Sequence, residues 1–255
     1  MVTSRKNGSL YTRIDGQVAH VEFGHPASNS FVTDLLLRLT DTLNELSENS
    51  GVSVILLKSE GEKAFCAGAS FDELLAVSNI EEGKAFFSGF AHVINAMRKC
   101  KKVIVGRVHG KTVGGGVGLA AACDYVYSNV EASIKLSELS IGIAPLVIAP
   151  AVERKIGTAA LAELSLAPTE WKSAYWAQEK GLFSKVYESA QEMDKELDFF
   201  IHKLASYNLD ALTEWKKVLW EGTDHWDVLL TDRAAITGKL ALSDFTRSAL
   251  SKFKK

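Results

Sequence analysis

No stretch of this chain approaches the run of about 18 apolar residues needed to cross a bilayer. Its opening residues, MVTSRKNGSLYTRIDG, also lack the apolar core of a secretion signal. A membrane role is set aside on that basis, and the expected location is the cytoplasm. Cysteine is scarce: Cys66, Cys100 and Cys123 are odd in number and lack the paired spacing of a metal site. Neither a disulfide framework nor a metal centre is expected, which fits a reducing compartment. An excess of one charge sign is missing too. With a formal net charge of −2, no broad basic field exists to hold nucleic acid or an anionic membrane, and the bias is toward small-molecule chemistry. What is present is an ordinary globular composition, 47% hydrophobic and 24% charged over 255 residues, enough for one main core with a small appendage.

Punctuation along the chain predicts its organisation. LYTRIDGQVAHVEF holds two β-patterned runs joined by Asp15-Gly16, a dipeptide that suits a type I′ hairpin turn. Asn29 or Ser30 is the expected cap of a helix in which Phe31, Leu35, Leu39, Leu43 and Leu46 recur at helical spacing. The strand VSVILLKS follows, then a loop over 58–70, a helical region ending near Met97, the strand KVIVGRV, a glycine-opened helix, and the strands DYVYS and ASIKLS. Strand-strand-helix order recurs without a fixed period, so irregular ββα units are expected and not a solenoid. From about residue 191 four helical patterns follow one another with no strand candidate between them. The expected division is a core over 1–190 and a helical appendage over 191–255, whose Trp215, Trp220 and Trp226 serve either its own packing or an oligomer interface.

Two stretches are nearly bare of side chains: FCAGASFDEL at 65–74 and VGGGVGLAAACD at 113–124. A dinucleotide fingerprint would need a third glycine where Leu119 stands, and a P-loop would need Gly-Lys-Thr after the glycines, whereas it precedes them at 110–112. Close packing of a helix on a sheet accounts for one such stretch. Two of them, each between a strand and a helix, point further: small residues leave backbone N–H groups open to a ligand, and a helix N-terminus aims such donors at negative charge. Two donors converging on one oxygen make an oxyanion hole.

KAFCAGASFDEL, VHGKTVGGGVGLAAACDYV and IKLSELSIGIAP occur in the order and at the separations of the enoyl-CoA hydratase/isomerase (crotonase) superfamily, which this sequence resembles over nearly its whole length. HPASNSF at 25–31 adds to the likeness. The resemblance implies an α/β fold, a crotonase-like spiral of ββα units followed by a helical trimerisation domain, in trimers or pairs of trimers. It implies an acyl-CoA substrate and no cofactor apart from the coenzyme A of that substrate. The thioester oxygen would be held by the backbone amides of Ala69 and Gly115, with Ala67, Gly68, Gly114, Gly116 and Gly118 around the acyl group. Ala27 and Ser28 would meet the adenine through their backbone.

Hydratases of this family carry two glutamates, and the resemblance maps one of them to Glu138. The other position holds Gly118. Glu138 alone either holds and deprotonates a water or carries a proton between two carbons. The missing side chain at 118 suggests space for a second water or a carboxylated acyl tail. Within the superfamily the sequence looks most like bacterial methylglutaconyl-CoA hydratases, so hydration of 3-methylglutaconyl-CoA or a similar branched enoyl-CoA is expected, with double-bond isomerisation as the alternative. A catalytically silent scaffold would lose the acid, and an RNA-binding relative would need a basic stripe. Cys66 is expected to be a small packed residue, His109 a structural hydrogen-bonding residue, and Asp72 and Glu73 helix-start acids. Lys63, or Lys252 and Lys254, are the candidate contacts for the CoA phosphates, since Asp72 cannot fill that role.

Overall fold

The computed structural model describes residues 6–252; Lys254 lies outside the described residues. The chain opens with an antiparallel hairpin, β1 (Ser9–Asp15) and β2 (Val18–Gly24), in which Asp15 faces Val18. That register makes Gly16 and Gln17 the central turn residues, and only Gly16 has positive φ, at 57°. The turn therefore follows the II′ pattern with glycine first, and the expected I′ turn is corrected.

Helix α1 (Thr33–Glu48) buries Leu35, Leu39, Leu43 and Leu46 as its period requires. Neither Asn29 nor Ser30 caps it. Its first amide, that of Thr33, donates instead to Oε2 of Glu73 at 2.8 Å, and the Thr33 hydroxyl donates to the same oxygen at 2.7 Å. Glu73 lies in α2 (Phe71–Ala76), whose own cap is Ser70. One carboxylate thus serves two helix starts: it sits in the first turn of α2 and accepts from the first turn of α1. Asn29 is freed for another task. With φ of 56° it donates to the carbonyls of Glu60 and Ala64 at 2.7 and 2.8 Å, which pins the 25–31 loop to the connection after β3 (Val54–Ser59).

The repeating units are legible in the sheet topology. β3 is followed by β4 (Ala64–Cys66), then α2 and α3 (Ile80–Lys99). β5 (Val103–Val108) is followed by β6 (Lys111–Val113) and α4 (Gly115–Ala122), and β7 (Tyr125–Asn129) by β8 (Ser133–Lys135) and α5 (Ala149–Leu166). In each unit the first strand joins one parallel sheet and the second joins another. The six-stranded sheet runs β1-β2-β3-β5-β7-β10 and the four-stranded sheet β4-β6-β8-β9, where β9 is Lys172–Ser173 and β10 is Lys185–Tyr187. Only β1 and β9 pair antiparallel. This is an α/β spiral of ββα turns. α6 (Ala174–Glu179) connects β9 to β10.

Among the described residues every element after residue 188 is helical: α7 (Ala190–Ala205), α8 (Leu209–Leu219), α9 (Trp226–Ala241) and α10 (Asp244–Ser251). These helices are not a detached appendage. α7 lays Met193, Leu197 and Ile201 on Val18, Val54, Leu56, Val103, Val105 and Tyr127, covering one face of the larger sheet. α9 approaches α3 so closely that a Cβ on Gly83 would stand 2.9 Å from the backbone of Gly238. α8 is fixed by charge. Asp124 accepts from the Trp220 indole N–H at 2.7 Å and from the Ile104 amide at 2.7 Å, and lies 3.0 Å from Lys216 Nζ, which also donates to the Lys102 carbonyl at 2.7 Å. The guanidinium of Arg154 stacks on the other side of the network, 3.8 Å from the Trp220 ring centroid. Trp220 and Trp226 form an edge-on pair with centroids 5.9 Å apart in the core, whereas Trp215 is 59% exposed. Trp220 and Trp226 therefore serve packing within the chain, and Trp215 stands at its surface.

Both Asp124 and Lys216 have almost no exposed side-chain surface, and removing one member of a buried ion pair strands the other charge. Lys216→Ala is expected to lower unfolding free energy by about 3 kcal/mol in chemical denaturation; a loss under about 1 kcal/mol would show that α8 does not depend on the pair.

Candidate active site

The loop over 67–70 is held by a short parallel bridge to Phe31. The Phe31 amide donates to the Gly68 carbonyl at 2.8 Å, and the Ser70 amide donates to the Phe31 carbonyl at 2.7 Å. In such a bridge the intervening Ala69 turns its own N–H to the opposite side. Gly68 makes the bend possible, with φ of 88°, a conformation that side chains disfavour. Its amide donates to Cys66 Sγ at 3.3 Å, while burial pushes the Cys66 thiol up to about 12. Cys66 is thus a packed residue with no thiolate to offer, as expected.

Across from Ala69 stands the start of α4. Gly114 precedes it with φ of 54° and ψ of −119°, and its amide donates to the Lys135 carbonyl at 3.0 Å. Gly115 is the first helical residue, so its N–H has no intrahelical acceptor. A Cβ placed on Gly68 would come within 3.6 Å of the Gly115 nitrogen, which shows how tightly the two loops abut. Among the described residues neither the Ala69 nor the Gly115 amide has an acceptor. Both residues line one cleft, together with Ala67, Gly68, Gly114 and Glu138.

Glu138 opens a 3-10 turn, Glu138–Ile141, that follows β8 and ends at Gly142 in the left-handed region, φ 86°. Its carboxylate lies on Gly114, where a Cβ would stand 2.8 Å from Oε1. Glycine is needed there twice over, for the backbone angle and for the carboxylate. The residue is half-buried as a whole, but Oε2 has essentially no accessible surface and no partner among the described residues. Burial pushes the carboxyl from its ordinary 4.5 up to about 7, partly offset by a hydrogen bond from its own backbone N–H. An acid poised near neutrality beside two free amides can take up and return a proton next to a thioester whose oxygen the amides receive.

Gly116 and Gly118 are not among the residues lining the cleft. Gly116 faces Cys66, whose Cβ lies 2.7 Å from the position a Cβ would occupy. At Gly118 a Cβ would come within 2.5 Å of Ile148 Cγ2. The expected vacant space at 118 does not exist, because Ile148 fills it and itself lines the cleft. Ala27 and Ser28 lie in the neighbouring loop, and Ser28 borders a separate shallow depression with His25, Glu60, Glu62 and Lys63. The Ala67 amide donates to the Ser28 carbonyl at 3.1 Å, so this loop and the cleft wall move as one piece. Lys63 and Lys252 are exposed. His109 departs from expectation: it is buried, and neither ring nitrogen has a partner among the described residues. Burial, reinforced by Arg107, lowers it to about 4, so it stays neutral and apart from the cleft.

The remaining walls were not singled out from the sequence. Phe71, Leu74, Phe87 and Phe90 come from α2 and α3, Ile141 to Ile148 from the segment after the 3-10 turn, and Thr237 from α9. Thr237 carried no signal at all, because only the close approach of α9 to α3 brings it to the site.

Comparison with known proteins gives the family and the fold. A family model described as enoyl-CoA hydratase/isomerase matches residues 13–237, and the chain belongs to that family. It is 28% identical over 218 residues to the peroxisomal Delta(3,5)-Delta(2,4)-dienoyl-CoA isomerase of Arabidopsis thaliana, covering 80% of this chain and 78% of that protein. It is also 28% identical over 206 residues to a probable enoyl-CoA hydratase of Rhizobium meliloti, covering 80% and 77%. In fold it is similar to the crystal structure of enoyl-CoA hydratase from Bacillus halodurans, with a TM-score of 0.88 at 18% identity over 95% of this chain and 99% of that one. The crotonase-type fold follows, and the family's two named activities both remain represented among the relatives.

Because the folded acid titrates near 7 and the ordinary one near 4.5, Glu138 favours folding below about pH 4.5 and loses that contribution as pH rises through about 7. Glu138→Gln is therefore expected to raise the thermal midpoint at pH 8 while lowering turnover by about 10²–10⁴. Wild-type kcat/KM should climb as pH passes through about 7, where the base ionises. Near-normal turnover in the Gln variant would remove Glu138 from the chemistry.

Proposed function

We propose that this protein shifts the double bond of an enoyl-CoA thioester from the 3,4 to the 2,3 position, with Glu138 as the single proton carrier. The observation that carries this reading is the pairing of one buried carboxylate with an apolar neighbour. Glu138 packs on Gly114, and Ile148 packs on Gly118, where a second acid would be needed for the two-glutamate hydration scheme. Glu138 takes a proton from C2 of the 3-enoyl thioester. The electron pair moves onto the thioester oxygen, between the amides of Ala69 and Gly115. Collapse of that enolate through the 3,4 double bond returns the proton from Glu138 to C4 and leaves the bond conjugated with the carbonyl. One proton and one base suffice, so the balance closes without water.

The acyl group in this reading is neutral and apolar. Phe71, Leu74, Phe87, Phe90 and Ile143 face the cleft, and among the described lining residues there is no lysine, arginine or histidine. The free carboxylate of a 3-methylglutaconyl group would have no counter-charge there, and an unpaired buried carboxylate is costly. The methylglutaconyl substrate expected from the sequence is therefore not the one favoured. Hydration of 2-enoyl-CoA remains the second reading, supported by relatives named as enoyl-CoA hydratases, such as that of Rhizobium meliloti. Homotrimers or pairs of trimers are proposed as the assembly. Trp215, Val218 and Leu219, exposed along one side of α8, offer an apolar face for it.

Incubation of 3-hexenoyl-CoA in ¹⁸O-labelled water should yield 2-hexenoyl-CoA with little labelled 3-hydroxyacyl product. Dominant incorporation of ¹⁸O at C3 would move the assignment to hydratase. Light scattering is expected to give three or six times the chain mass, and a concentration-independent monomer would overturn the assembly.

A further inference from the structure

We infer that Ile148 determines the reaction outcome at this site, holding the chemistry at proton transfer by excluding water from the side of the acyl chain beyond Glu138. The inference rests on the isomerase reading above. Its basis is the alignment of two contacts along one helix. Glu138 lies against Gly114 and Ile148 against Gly118. The Gly118 amide donates to the Gly114 carbonyl at 3.3 Å, so the two glycines are neighbours on one face of the helix start. Four residues of helix rise about 6 Å. The carboxylate and the isoleucine therefore lie against successive turns of one face of α4, the isoleucine further along the helix than the carboxylate.

Ile148 is firmly placed. It immediately precedes α5, its carbonyl accepts from the Val152 amide at 3.1 Å, and it is only 4% exposed while lining the cleft. A water poised to attack the β-carbon needs two or more polar partners. Beside Glu138 the described polar side chains lining the cleft are Ser137, which precedes it on the same turn, and Thr237, whose hydroxyl donates to the Arg233 carbonyl at 2.9 Å. At the Ile148 position the side chain that lines the cleft is hydrocarbon. Ile148 thus fills the room in which a water could reach Glu138 and one of these hydroxyls together.

Shortening Ile148 should admit the missing water. Its oxygen would bond to C3 of the 2-enoyl product, and the C2–C3 electron pair would pass to the thioester oxygen. Glu138 would take the proton of the water and deliver a proton to C2, so that one water is added overall. The enzyme would then carry 3-hexenoyl-CoA on to a 3-hydroxyacyl thioester.

The experiment compares wild type, Ile148→Val and Ile148→Ala in ¹⁸O-labelled water with 3-hexenoyl-CoA. Mass spectrometry reads the ratio of labelled 3-hydroxyhexanoyl-CoA to 2-hexenoyl-CoA, and thermal unfolding is run on each sample. The ratio is expected to rise at least about tenfold in Ile148→Ala, the low end of what one to a few methylene groups decide in an enzyme pocket. Ile148→Val should lie between, and it decides the matter if the alanine variant does not fold. A folded variant that migrates the double bond with the wild-type product ratio overturns the role of Ile148 and leaves the isomerase reading standing. Labelled hydroxyacyl product dominating in the wild type overturns that reading itself, and this inference with it. A merely structural role would lower both products together and leave the ratio unmoved.

Discussion

Two backbone N–H groups left without acceptors, in a region where nearly every other amide is paired, are the constraint around which the rest of the structure is arranged. An unsatisfied buried donor costs about 1–3 kcal/mol, so the amides of Ala69 and Gly115 stay free only because the chain on either side is otherwise committed. The bridge from Phe31 uses the carbonyl of Gly68 and the amide of Ser70, and so turns the Ala69 amide away. The bond from Gly114 to Lys135 anchors the start of α4 on β8. Asn29, tied to Glu60 and Ala64, and Glu73, tied to Thr33, hold the loops that carry these bonds. Hydrogen bonds elsewhere thus keep two open here.

The carboxylate obeys the same logic of deprivation. Among the described residues Glu138 has an oxygen with no partner and essentially no accessible surface, and burial raises its pKa to about 7, a value suited to proton transfer at neutral pH. The 3-10 turn that bears it is braced from outside: a Cβ on Gly142 would meet Phe245 and Thr246 of α10 at 2.5 Å. The last helix therefore supports the turn that carries Glu138, and α9 lines the cleft with Thr237. That support depends in turn on the buried Asp124–Lys216–Trp220 network, which fastens α8 to β5 and β7.

Ile148 and Gly118 show how packing alone sets the character of a cleft wall. Neither residue titrates, and neither donates to substrate. Their contact replaces a polar position by hydrocarbon on the face of α4 next to Glu138. Among the described residues the cleft keeps two amides without acceptors and one buried carboxylate beside mostly apolar side chains.

The sequence by itself determined the order of ββα units, the leucine face of α1, the two bare stretches and the lone acid at 138, because local period, turn chemistry and the small size of glycine are properties of neighbouring residues. It also carried enough motif for the family resemblance. The cap of α1 was not legible, since its carboxylate comes from Glu73, 40 residues on. The use of Gly118 was misread for the same reason: an absent side chain looks like empty space until the structure shows that Ile148, thirty positions away, occupies it. Whether Trp220 is core or surface, and whether Thr237 reaches the cleft, were likewise decided by helix packing. These are long-range contacts, and their free energy depends on which surfaces the completed fold brings together.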